Sequence, residues 1–180
     1  MAASLLTDHP LEELTVDALA GGAQISRSAF YFYFDSLEAV VRALAVRLAG
    51  ELDRVIEDPP AGWPPQQVVR RHVDNYLDRW RKHGHILRAM HALYETDPWM
   101  RTFCDETTVR ARQRLAAMIR REQESGRAMK GFDAAEVADV LGAMAWRCGY
   151  ELSLRAPSKA DERVAAAMTL VWVRALYGTP

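Results

Sequence analysis

An all-α protein in two parts is what this sequence predicts, on three observations. Apolar residues recur at helical spacing throughout, and no stretch of useful length alternates apolar with polar side chains as a half-buried strand does. Helix-opening and helix-closing residues punctuate the chain at intervals matching that spacing. A cluster of prolines about a third of the way along divides it. With 180 residues and a hydrophobic fraction of 49%, the chain can bury a sizeable core. Lys+Arg 23 against Asp+Glu 24 gives a net charge of -1, which excludes polyanion binding by bulk charge and requires any nucleic-acid site to be local.

The first elements are short. Thr15 opens a helix that meets Gly21 and Gly22, and Ser26 can cap a second one, which is helix-turn-helix spacing. On a helical wheel, Phe30, Tyr33 and Phe34 gather on the side expected to pack on the core. Arg27, Ser28, Tyr31 and Phe32 fall on the other, a mixture of guanidinium, hydroxyl and aromatic edges able to touch phosphates and read base edges. Asp35 followed by Glu38 forms a capping-box pattern. The helix it opens carries the stripe Val41, Leu44, Leu48, Leu52 and Val55 until Asp58.

Pro59, Pro60, Gly62, Pro64 and Pro65 then stop the helix, because proline lacks the amide a helix interior needs. The expected domains are therefore 1–57 and 58–180. In the second, helices are expected over 66–83, 84–95, 98–124, 134–155 and 159–177. Asp97 and Asp133 mark starts, and Gly126, Pro157 and Gly178 mark stops.

The last two helices carry an assembly signal. Apolar residues, among them Val164 and Val171, occupy nearly the whole circumference of 159–177, more than one buried face requires. The preceding helix presents Gly142 and Gly149, small enough to admit another helix. These four residues are the expected homodimer interface.

Residues 14–34, LTVDALAGGAQISRSAFYFYF, and the run ISRSAFYFYFDSLEAVV with its long following helix resemble the DNA-binding domain of the TetR family of repressors, close to the EthR branch. The resemblance is specific over residues 11–48 and looser beyond, where the ending VWVRALYG remains similar. It implies an all-helical homodimer with an N-terminal helix-turn-helix domain, whose subunits release a palindromic operator when a small molecule enters the C-terminal domain. By position it implies that Thr15 caps the first motif helix against phosphate, and that Arg27, Ser28, Tyr31, Phe32 and Tyr33 meet DNA.

The chain departs from the family pattern at Leu37, where a phosphate-touching lysine is usual, at Ala29, and at Gln24, where a turn glycine is usual. Residues 1–56 hold Arg27, Arg42, Arg47 and Arg54 against eight acidic residues, a local net of -4. The residues before Leu11 are fewer than the family's first helix requires, so either a truncated start or weak DNA binding is expected. These departures define an alternative: a dimeric helical small-molecule binder with weakened DNA contacts.

Trp80, Trp99, Phe103, Met144, Trp146 and Trp172 are the expected effector-lining residues, since aromatic and thioether groups line adaptable apolar pockets. Where the EthR branch places pocket amides, this chain has Gly142 and Ala145, so a more apolar or differently anchored effector is expected, an apolar small molecule being the reading taken. His83, His85 and His91 with Glu95 lack metal-site spacing, and no nucleophile elbow or phosphate loop appears. Neither an enzyme, a metal site nor a cofactor is expected. Cys104 and Cys148 read as buried free thiols. The longest uncharged apolar run, Val164 to Val173, is too short to cross a bilayer, and the start has no basic, apolar leader pattern. A soluble cytoplasmic protein is expected, whose partners are operator DNA, an effector and its own copy.

Overall fold

The computed structural model describes residues 11–52 and 62–178. Among these the chain is all-α: a 3-10 turn, Leu11–Glu13, and helices α1 (Val16–Gly22), α2 (Arg27–Tyr33), α3 (Leu37–Leu52), α4 (Pro65–Leu93), α5 (Pro98–Glu124), α6 (Ala134–Ser153) and α7 (Lys159–Tyr177). The end of α3 as expected from the sequence, with Val55, Pro59 and Pro60, lies outside the described residues.

Local chemistry explains most of the boundaries. Thr15, Ser26, Asp133 and Ser158 each turn a side-chain oxygen onto the free amides of the first turn that follows. Gly178 closes α7 at φ 79°, a conformation that glycine adopts without steric cost. At α3 the cap is displaced by one residue from the expected Asp35. Ser36 Oγ accepts the Ala39 amide at 3.3 Å, and its hydrogen bond with Glu38 holds the Glu38 carboxyl below its ordinary pKa.

The expected break at Gly84 does not occur. Residues 65–93 form one helix, because a single glycine costs a helix only about 1 kcal/mol and its flanks are packed, with Trp80, Ile86, Ala89 and Met90 all buried.

The chain divides into two compact units, and both α4 and α5 contribute to each. The first takes in the described N-terminal residues and His85–Asp105. It holds one apolar cluster of Val41, Ala45, Leu48, Ile86, Met90, Leu93 and Met100, and a second of Leu19, Ala20, Phe30 and Val40. Leu37 packs on the second, so its side chain serves the core of the motif. The other unit, with Glu106 onward and the chain up to Gly84, is built on Val69, Val73, Leu77, Ile119, Leu141, Ala145, Met168, Trp172 and Leu176. Burying each large apolar side chain contributes about 1.5–3 kcal/mol.

Candidate functional site

In the first unit α1 and α2 form the two arms of a helix-turn-helix. Thr15 Oγ1 accepts the Ala18 amide at 3.1 Å, and Ser26 Oγ accepts the Ala29 amide at 3.1 Å. The turn between them puts Gln24 at φ 57°, in the left-handed region where glycine is the usual residue. Phe30, 4% exposed, anchors α2 on Leu19, Ala20 and Val40, with Phe34 beside it at 5.9 Å between ring centroids.

What α2 leaves in solvent is unusual for a soluble helix. Phe32 is 81% exposed, Tyr33 71% and Tyr31 44%, and Arg27 and Ser28 are exposed with them. The wheel expectation for Tyr33 is corrected: it does not pack on the core with Phe30 and Phe34, but stands edge-on to Phe32 at 5.1 Å. Seven residues make only two turns, so Phe30 and Phe34, four apart, fill the narrow core contact and leave Tyr33 at its margin.

Arg27 is already paired. Its Nη1 donates to both Asp17 carboxylate oxygens at 3.0 and 2.9 Å, its Nη2 lies 3.5 Å from the Tyr31 hydroxyl, and its guanidinium covers the Tyr31 ring at 5.6 Å. The hydrogen bonds and charge of Asp17 raise the Arg27 pKa above its ordinary value. The pair joins α1 to α2 and fixes the arginine over the exposed face.

Behind the motif, α3 is joined to the start of α5. Arg42 Nε donates to Asp97 Oδ2 at 2.8 Å, while Asp97 Oδ1 accepts the amides of Trp99 and Met100 at 3.0 and 3.2 Å. Burial alone would raise the Asp97 pKa, but these donors hold it below the ordinary value. The Arg42 guanidinium also lies 5.8 Å from the Trp99 ring, which stacks on Phe103 at 5.0 Å.

The six effector candidates therefore divide. Trp99 and Phe103 belong to the first unit, and Trp80, Met144, Trp146 and Trp172 to the second. There Trp80, Trp146 and Tyr150 form one aromatic cluster, with Trp146 and Tyr150 stacked at 5.4 Å and Trp80 edge-on to both at 6.4 and 6.2 Å.

The four candidates for the dimer interface also divide. A Cβ on Gly149 would lie 2.1 Å from Trp80 Cδ1, so this glycine is required by Trp80 of its own chain. Gly142 has no heavy atom of that kind within 4 Å. Val164 packs partly on the core, and Val171 is 47% exposed beside Leu170 at 52%.

Sequence reasoning missed a polar group inside this unit. His72, Tyr76 and Arg79 follow one another at i, i+4 and i+7 along α4, on the flank of its Val69, Val73 and Leu77 stripe. Burial, with Arg79 nearby, pushes His72 down to about 4, and burial raises Tyr76 to about 12. Burial also lowers the pKa of Arg79. The signal available in the sequence was that spacing, which brings three polar residues to the border of an apolar stripe.

Residues 1–44 match the family model described as bacterial regulatory proteins, tetR family, and residues 69–178 match the model of the transcriptional regulator EthR, C-terminal domain. The chain belongs to the TetR family. The HTH-type transcriptional regulator EthR of Mycolicibacterium smegmatis is 33% identical over 183 residues, covering 99% of this chain and 83% of its own. EthR of Mycobacterium tuberculosis is 30% identical over 181 residues, covering 98% and 84%.

Solved structures share the fold. PfmR, a TetR family regulator from Thermus thermophilus, superposes with a TM-score of 0.71 at 21% identity over 94% of this chain and 93% of its own. AibR, in complex with isovaleryl coenzyme A and operator DNA, superposes with a TM-score of 0.72 at 13% identity over 99% and 95%. Like other TetR members, the chain is a helix-turn-helix transcriptional regulator with DNA-binding and ligand-binding parts, and not an enzyme. Among its described residues no helix is long and apolar enough to cross a membrane.

Proposed function

We propose that this TetR regulator is a repressor that binds a palindromic operator as a homodimer and leaves it when an effector enters the helical domain of residues 58–180. The observation that carries the reading is α2. Arg27, Ser28, Tyr31, Phe32 and Tyr33 leave one capped helix for solvent, while Phe30 alone is buried beneath them. Arginine suits guanine edges and phosphates, and aromatic edges suit thymine methyls and the sugar backbone. Thr15, capping α1, is the residue assigned to a phosphate.

Dimerisation is assigned to α6 and α7, where Val140 is 70% exposed and Leu170, Val171 and the open side of Gly142 add apolar surface. The effector site is assigned to the second unit around Trp80, Met144, Trp146 and Trp172. AibR, of the same fold, has been captured with both an acyl coenzyme A and operator DNA, which supports a fold able to hold both ligands. The connection between sites runs along α5, whose first turn is tied to α3 by Arg42 and Asp97.

The test is titration of an inverted-repeat duplex with wild type and Arg27→Ala. Loss of a good base contact lowers affinity by about 1–3 kcal/mol without a change in helicity. Asp17→Asn should do the reverse by freeing Arg27 and removing a negative charge facing the duplex. Unchanged affinity in Arg27→Ala takes that residue out of the site. The net of -4 over residues 1–56 favours the second reading, a helical effector binder with weakened DNA contacts, and that reading holds if no inverted repeat competes with random duplex.

A further inference from the structure

At the flank of the second unit's core stands a partly buried cation with no anion paired to it among the described residues. It is Arg79, whose Nε is sealed from solvent with no hydrogen-bond partner. The charged and titratable groups that act on it are Tyr76, a neutral phenol, and Arg114, a second cation. Trp172 Nε1 is a second buried donor without an acceptor. His72 links the two, since its ring meets the Trp172 ring at 5.3 Å and it feels the charge of Arg79. The one strongly buried acid of this unit among the described residues, Asp161, is already engaged by Arg81 and Arg155.

Buried charges in proteins are ordinarily paired, and buried donors ordinarily satisfied. A water molecule would supply an acceptor but no charge. A carboxylate supplies both, with two oxygens offering about four acceptor directions. The core of the same unit holds Met168, with Met144 packed against it, side chains that adapt to an apolar body. We infer that the effector is an amphipathic acid, whose anionic head takes the hydrogen bonds of Arg79 and Trp172 and whose apolar body packs among the methionines and rings of the same core. The inference rests on the proposed role of residues 58–180 in effector binding, and it replaces a wholly apolar ligand with one that carries a charge.

The test uses the full chain with hexanoate and decanoate, each compared with its primary amide, by calorimetry and tryptophan fluorescence. One of the acids should bind at least tenfold more tightly than its amide. Arg79→Met should abolish that preference by weakening the acid far more than the amide, and Trp172→Phe should reduce it severalfold. In the ligand-free protein Arg79→Met should melt at or above the wild-type temperature, since it removes a sealed Nε donor that has no acceptor.

Equal binding of acid and amide, no binding of either acid, or a lower melting temperature in Arg79→Met would overturn the inference. Operator competition separates this outcome from the repressor reading. An amide that releases operator as well as its acid leaves the repressor and refutes the charged head. An acid that binds through Arg79 without changing operator affinity leaves the charged head and refutes the repressor.

Discussion

At the residue scale, the protein places strain and unpaired charge where ligands are expected to act. Gln24 holds the motif turn at φ 57°, where a Cβ crowds the backbone. Gln24→Gly should raise stability by about 1 kcal/mol, read from urea unfolding, and leave the fold of α1 and α2 unchanged. His72 makes a prediction in acid. Its folded pKa of about 4 lies below the unfolded value of about 6.5, so the unfolded chain takes up the proton first. The stability this contributes is complete above about pH 6.5 and is lost as pH falls towards 4, by at most about 3 kcal/mol. Unfolding of wild type at pH 7 and 4.5 should show this loss, and His72→Phe should reduce it; an equal loss in the variant would assign the effect to other groups.

At the element scale, sequence reasoning succeeds where caps and periodicity agree and fails where tertiary packing decides. The helix 159–177 is legible to the residue because Ser158 and Gly178 bracket it, and 98–124 because Asp97 precedes Pro98. The break expected at Gly84 is absent because neighbouring packing outweighs one glycine, and the capping box is shifted because Ser36 competes with Asp35 for the same amides. Of the candidate site, the outward face of α2 is readable from a wheel, except that Tyr33 sits at the edge of a contact too narrow for three aromatics. The spacing of His72, Tyr76 and Arg79 is readable but their burial is not, because whether a flank position is buried depends on which helices cover it.

The two glycines of α6 test the same point. Gly149→Ala forces a methyl into the Trp80 ring of its own chain and should destabilise the protomer by about 1–3 kcal/mol. Val171→Glu, on exposed surface, should leave protomer stability nearly unchanged and yield monomers in sedimentation. Retention of the dimer by Val171→Glu would remove α7 from the proposed interface.

At the scale of the whole molecule, the proposed repressor would couple its two functions through α4 and α5, which contribute to both units. An effector acts on operator affinity only if it binds one arrangement of the recognition helices better than another, and the coupling is reciprocal, commonly about 1–3 kcal/mol. Arg42 and Asp97 tie the first turn of α5 to α3, so Arg42→Met should preserve operator binding and shrink the effect of the ligand on it. Operator recognition by a dimer is tested most directly by selection of duplexes from a random pool by the purified chain, followed by measurement of stoichiometry and of the Arg27→Ala variant on the winning sequence. An inverted repeat should be enriched and bound by two chains or a multiple of two, with affinity lowered about tenfold or more by Arg27→Ala. A pool that shows no enrichment, or a winning site bound by a single chain and indifferent to Arg27, would contradict that recognition.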